Sequence, residues 1–238
     1  MKKLTLLLLL TLSTLLHAET LILAAGAGYK RPITELVRNF ESANNIKIEE
    51  FYGNMAQILT QSRQSGKVAL ILGDLDFLQK TTAVNFSSFI PLGNGKLVLA
   101  YAKGKNLKNP ETLLDPAFER IALPDTKNAV YGKAAEEFLN KNGLADRIKN
   151  KLMVVSTVPQ VSAYLISGEV DAGFINLTDA LGIKDKIGGF ITIDPQSYST
   201  IKIVAGVVKD AEINPAVNAF TNYLNTAPAR ATLEKYGL

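Results

Sequence analysis

The sequence predicts an α/β protein of two lobes, each a mixed, mostly parallel sheet flanked by helices. Three observations lead there. Apolar runs too continuous for a half-exposed sheet alternate with segments of helical period, as βαβ units require. That plan is read twice, over residues 20–74 and again over 120–176. A further apolar strand at 200–208 then follows the second half, so the second lobe reads as an insertion in the first.

Residues 1–18 read as an export leader. Lys2 and Lys3 precede an apolar run over 4–16, and a cut after Ala18 leaves 220 residues, enough for one large core or two smaller ones. The leader takes Lys2 and Lys3 with it, which lowers the net charge from +4 to +2. So weak a surplus does not indicate a nucleic-acid partner. The single histidine, His17, also lies in the leader, and the sequence has no cysteine or tryptophan. Histidine or cysteine metal sites, thiol nucleophiles and Ser-His-Asp triads are thereby excluded from the mature chain. No lipid can be attached through a cysteine at the cut, and the core rather than disulfides must hold an exported protein together. The chain reads as a non-enzyme that needs no cofactor.

The mature chain begins with a strand at 20–25 that enters a small loop, Ala24-Ala-Gly-Ala-Gly28. Behind it Pro32 suits a first helical turn, and Ile33, Leu36, Val37 and Phe40 share one helical face. A loop free of bulky side chains at a helix N-terminus is an anion cradle, because unpaired amides and the helix dipole both favour negative charge. The alternating strand at 46–51 leads to a second loop, Tyr52-Gly53-Asn54, and to a helix carrying Met55, Ile58, Leu59 and Ser62. A buried strand at 68–72 ends at Gly73-Asp74. The strand at 96–102 is expected to cross between lobes. A strand at 120–123 precedes a third loop over 124–132 and a helix with Ala135, Phe138 and Leu139. The strand at 151–155 precedes a fourth loop, Thr157-Val158-Pro159, and a helix face of Val161, Tyr164 and Leu165. A strand over 168–175 ends at Asn176, and Val217, Phe220 and Leu224 mark a C-terminal helix. The expected division is 19–100 plus 201–238 for the first lobe and 101–200 for the second, with crossings near 99–103 and 198–205. Four loops then face one cleft, a seat for a small ligand over which the lobes close about a hinge.

Several stretches carry a family likeness. Ala24-Ala-Gly-Ala-Gly28, Phe51-Tyr-Gly-Asn54 and the strand ending at Asp74 resemble the periplasmic molybdate-binding proteins of ABC transporters. So do Gly168-Glu-Val-Asp-Ala-Gly173, Thr178-Asp179-Ala180, Ala219-Phe220 and the ending Leu233-Glu-Lys-Tyr-Gly237. The resemblance covers essentially the whole mature chain. It implies the type II periplasmic-binding-protein fold, with two crossover strands and an oxyanion held by neutral hydrogen-bond donors. It also implies a periplasmic location, delivery to a permease in the inner membrane, and a monomer.

Carried over by position, the resemblance places ligand donors at Ala27, Gly28 and Tyr29, at Gly53 and Asn54, at Tyr131 and Gly132, at Val158 and at Asn176. The family's serine hydroxyls fall at Gly28 and near Asn54, and its cleft tyrosine at Asn176. The amides of Asn54 and Asn176 can still donate, but Gly28 has no side chain to do so. Its glycine suits a turn that needs unusual backbone geometry. Tyr29, Tyr52 and Tyr131 either supply hydroxyls in place of the serines or pack on the rim.

Asp74 and Asp125 read either as caps or hinge acceptors, or as ligands to an amine or a hard cation. Lys30 and Arg31 read as a solvated helix start or as a source of positive potential. Gly26-x-Gly28 lacks the rest of a dinucleotide fingerprint. The expected function is capture of a molybdate- or tungstate-like oxyanion for an ABC importer. Another oxyanion, a small carboxylate, a ferric species or a role as a ligand-sensing subunit remain as alternatives.

Overall fold

The computed structural model describes residues 19–238. The leader reading therefore falls outside the described residues. Within them, the strands are β1 (Glu19–Gly26), β2 (Ile46–Gly53), β3 (Leu70–Asp74), β4 (Phe86–Gly95), β5 (Leu97–Tyr101), β6 (Ile121–Pro124), β7 (Leu152–Val155), β8 (Ala172–Asn176), β9 (Gly189–Thr192) and β10 (Ile201–Val208). They form two five-stranded sheets, ordered β2-β1-β3-β10-β4 and β7-β6-β8-β5-β9. In each sheet the first three strands run parallel, and the last two are joined antiparallel. The two orders are the same pattern, with β1 standing where β6 stands and β2 where β7 stands.

The helices are α1 (Lys30–Ala43), α2 (Met55–Ser65), α3 (Leu75–Lys80), α4 (Val130–Lys141), α5 (Ala145–Ile148), α6 (Val158–Ser167), α7 (Leu177–Ile183), α8 (Pro215–Leu224) and α9 (Ala227–Lys235). The apolar faces read from the sequence are the buried ones: Ile33, Leu36, Val37 and Phe40 on α1, and Met55, Ile58, Leu59 and Ser62 on α2. Phe40 meets Phe220 of α8 edge to face at 5.0 Å. One apolar cluster runs from the α1 side of the first sheet through Tyr29 and Tyr131 into the second lobe, and a smaller one lies under α2.

Two expectations need correction. The strand at 96–102 does not cross between lobes. As β5 it pairs with β8 and β9 in the second sheet, and Leu97, Val98, Leu99 and Ala100 are all 0% exposed. An apolar run covered on both faces belongs in a sheet interior. The chain changes sheet ahead of it, at Lys96, and returns over residues 193–200. The two crossings are tied together where the Leu97 amide donates to the Tyr198 hydroxyl at 3.0 Å. The second correction concerns 168–175. Gly168 sits at φ 75° and ends α6, donating to the Leu165 and Tyr164 carbonyls, so the strand begins only at Ala172. A left-handed position is where a helix stops, and glycine takes it without strain.

Asp171, just before β8, fastens the second sheet. Its carboxylate accepts the Glu119 and Arg120 amides at 2.8 and 2.9 Å and pairs with Lys105 at 2.8 Å. Burial opposes its ionisation, but these partners prevail and hold its pKa below the usual carboxylate value. Asp171→Ala is expected to lower the unfolding free energy by about 2–4 kcal/mol, since two amides lose their acceptor. Urea denaturation at neutral pH measures this. The carboxylate's contribution is present above its unfolded pKa and is lost as pH falls through the lower folded value, so the wild type and the variant should converge in acid.

Candidate functional site

Loops that leave the C-terminal ends of parallel strands gather on one edge of a sheet, the usual place for a ligand in α/β proteins. Here four of them meet between the lobes: those after β1 and β2 in one, and those after β6 and β7 in the other. They line a half-open cavity of about 30 Å³. The first loop contributes Gly26, Ala27, Gly28 and Tyr29, and the second Gly53, Asn54 and Met55. Gly73 and Asp74 come from the end of β3. The third loop contributes Ala129, Val130 and Tyr131, and the fourth Thr157 and Val158. The space suits a single small ion. It is well below the roughly 300–1,000 Å³ of sites that take drug-sized ligands.

The wall is mostly apolar surface, and its polar part includes backbone amides at helix starts. The first amides of a helix have no carbonyl within it to bond. Ala27 and Gly28 open a short 3-10 turn that runs into α1, and Met55 opens α2. In α4 the Ala129 carbonyl takes the amides of Gly132 and Lys133, which leaves Val130 and Tyr131 at the open end. In α6 the Thr157 carbonyl takes Gln160 and Val161, Pro159 has no N–H, and Val158 is left. Four helix starts thus converge on one small space, each carrying the partial positive charge of its dipole.

The lobes meet around that space. The Tyr29 and Tyr131 hydroxyls hydrogen-bond at 2.5 Å, the Asn176 amide donates to the Gly28 carbonyl at 2.9 Å, and the Asn54 amide donates to Ser156 Oγ at 3.3 Å. Arg31 pairs with Asp179 at 3.2 Å. Burial pushes both tyrosines well above the ordinary phenol pKa, so each keeps its proton. Two hydroxyls share one hydrogen bond, which leaves one O–H to donate elsewhere.

Of the residues read from the sequence as donors, Ala27, Gly28, Tyr29, Gly53, Asn54, Tyr131 and Val158 line the cavity. Gly132 and Asn176 are not on its wall. The Gly132 amide is spent on Ala129, and a side chain there would collide with the Pro124 and Asp125 carbonyls, so this glycine serves close packing. Asn176 is fully buried, caps α7 by accepting the Asp179 amide at 3.2 Å, and holds Gly28. Asn54 spends its side-chain oxygen on the Gln57 amide in a capping box. Tyr52 turns away to Glu50 and Thr34, and Arg31 is taken by Asp179. Asp74 and Asp125 act as caps: Asp74 accepts the Phe77 amide, and Asp125 those of Lys127 and Asn128. In the sequence Thr157 is only part of a loop. It lies on the wall, and its hydroxyl makes no cap bond to its own helix.

Gly28 has no left-handed φ, so backbone geometry does not explain the glycine. A Cβ there would lie 3.0 Å from Asn176 Nδ2 and 3.3 Å from its Cγ. The missing side chain at 28 is the room that Asn176 fills. The two departures from the resembled pattern are therefore one fitted pair.

The sequence matches the family described as "Bacterial extracellular solute-binding protein" over residues 21–238, and the chain belongs to that family. It is 27% identical to the molybdate-binding protein ModA of Rhodobacter capsulatus over 226 residues, 92% of this chain and 88% of that one. Its structure is similar to that of the periplasmic molybdate-binding protein of Azotobacter vinelandii, with TM-score 0.83 and 20% identity over 91% of this chain and 97% of the other. The sulfate-binding protein SubI from Mycobacterium tuberculosis shares the fold at TM-score 0.76 and 15% identity, over 92% and 86% of the two chains. The fold is the type II periplasmic-binding-protein fold. The chain is a solute-binding protein of the ABC-transporter class, not an enzyme, and the family implies a small ligand and a permease partner.

Gly28→Ser is expected to push Asn176 off the Gly28 carbonyl and to cost about 1–3 kcal/mol of stability. The same change in an Asn176→Ala background should cost less, with a coupling of at least about 0.5 kcal/mol in a double-mutant cycle read by chemical denaturation.

Proposed function

We propose that the protein binds one small tetrahedral oxyanion of the molybdate and tungstate class between its lobes and delivers it to an ABC permease. The observation that carries this reading is the convergence of four helix starts on a cavity the size of a single small ion. Amides there supply hydrogen bonds without a competing cation, and together they meet a charge that would be costly to bury alone. The free tyrosine proton and the Thr157 hydroxyl add donors in place of the family's serines. The names borne by relatives of similar sequence and fold support the ligand class. Export by cleavage after Ala18, a periplasmic location and action as a monomer belong to the same reading. A ferric species fits less well, because Asp74 is the one carboxylate on the wall among the described residues and a hard cation asks for several anionic oxygens.

Thermal-shift and calorimetric titration of residues 19–238 against molybdate, tungstate, sulfate, phosphate, chromate, a small carboxylate and ferric iron tests the proposal. A ligand present at a hundred times its Kd stabilises the folded state by about 2.7 kcal/mol. Molybdate or tungstate should raise the melting temperature most. A response confined to the carboxylate or to iron, or no response to any oxyanion at millimolar concentration, would overturn it. Asn176→Ala should weaken the binding several-fold by releasing Gly28, and an unchanged Kd would remove Asn176 from the closing contact.

A further inference from the structure

The start of α7 grips the start of α1 at two points. Asn176 accepts the Asp179 amide at 3.2 Å and donates to the Gly28 carbonyl at 2.9 Å. Three residues beyond Gly28, Arg31 Nε meets Asp179 Oδ1 at 3.2 Å. Gly28, Asn176, Asp179 and Arg31 thus form a ring of contacts that closes across the lobes. Arg31 and Asp179 lie off the small cavity, beside a separate groove that Lys30, Pro159 and Tyr236 also line.

The surroundings of Asp179 suit it to hold this partner. Its side chain is 7% exposed and that of Arg31 43%, so the acid is fixed in the protein and the base reaches it from the surface. Its other carboxylate oxygen accepts the Ser162 hydroxyl, one turn into α6. Asp179 therefore joins α7 to α1 and α6, and both of those helices begin beside the cavity. Gly182, one turn further along α7, leaves room for the guanidinium. A Cβ there would collide with Arg31 Nε and Cδ, and its φ is not left-handed. Close approach, not backbone geometry, thus calls for a glycine in a helix that glycine weakens. The neighbouring cations are engaged elsewhere, Lys30 over the Tyr52 ring and Lys235 with Glu35. Among the described residues one other ion pair spans the lobes, Lys133 with Asp76. It is 3.9 Å long and about half exposed on both sides, a weak contact.

We propose that Arg31 and Asp179 are positioning residues for ligand capture: their ion pair latches the lobes shut and so sets how long the bound solute stays. The inference rests on the reading of the cleft as a solute site, and holds for whichever oxyanion fills it. A solute enclosed between the lobes leaves when they part, and parting them draws Arg31 away from Asp179. A contact made in the closed form alone weights the equilibrium toward closure by its own free energy. Gly182 is the third member of the latch, since it gives Arg31 its path.

The sequence has no cysteine, so spin labels at Gln64→Cys on α2 and Asn140→Cys on α4, both exposed, report the lobe separation without interference. Double electron–electron resonance is recorded with and without molybdate in this labelled protein and in its Arg31→Ala and Gly182→Ala variants. Release of isotopically labelled molybdate is timed by rapid filtration. Arg31→Ala removes the cation. Gly182→Ala keeps every charge, pushes Arg31 aside and suits a helix better than glycine, so loosened closure in it is not a weakened helix. Both variants should widen the separation and speed release about 3–10-fold, with little change in the association rate. Gly182→Ala should add nothing in an Arg31→Ala background. Separations and release rates that match the parent in both variants overturn the latch and leave oxyanion binding intact. Faster release in Arg31→Ala alone traces the effect to charge rather than to the contact, and overturns the latch too. A protein that takes up no oxyanion, but whose variants still open wider, keeps the closing role of the pair and loses the oxyanion reading.

Discussion

The contact on which the closed molecule depends is the hydrogen bond between the Tyr29 and Tyr131 hydroxyls. Both side chains are almost wholly buried, at 4% and 3% exposure. A buried hydroxyl without a partner is costly, and here each finds its partner on the other lobe. The pair also packs against Gly95, where any Cβ would strike both hydroxyls, just ahead of the crossing at Lys96. Closure, the cavity between the lobes and the hinge therefore share one small set of atoms. Opening the lobes would expose both hydroxyls and free the Gly28 carbonyl and Asn176 together.

That arrangement accounts for how charge is managed. The cavity is built from the ends of helices, whose amides are fixed by the fold and have no protonation state of their own. Such donors are already in place before any ligand arrives, which lowers the cost of binding one. The charged side chains near the cleft are paired with each other across the lobes, Arg31 with Asp179 and Lys133 with Asp76, and are not spent on the ligand. Asp74 carries no cation partner among the described residues, and its two amide bonds join β3, α3 and the returning strand.

Much of this was legible in the sequence because it depends on local pattern. The helix faces of α1 and α2, the buried runs of β1 and β3, and the loops before each helix follow from spacing alone. Most of the cavity wall follows in turn, since loops after parallel strands gather on one edge. The edge strand β4 was not legible: over Phe86–Gly95 only Leu92 and Gly95 are buried, with Pro91 and Gly93 interrupting any period. The destination of side chains was not legible either. Asn54 and Asn176 can donate to a ligand as well as to protein, and only the approach of Ser156 and Gly28 from the opposite lobe decides between these. Gly28 could be read as a turn residue, but its reason lies 148 positions away in Asn176.

The repeated strand order has a geometric consequence. Because β1 corresponds to β6 and β2 to β7, the loop before α1 corresponds to that before α4, and the loop before α2 to that before α6. The site is thus faced by two pairs of like elements, a repetition that no repeat in the sequence announces. A guest whose like atoms come in pairs, as those of a tetrahedron do, can present equal atoms to equal donors.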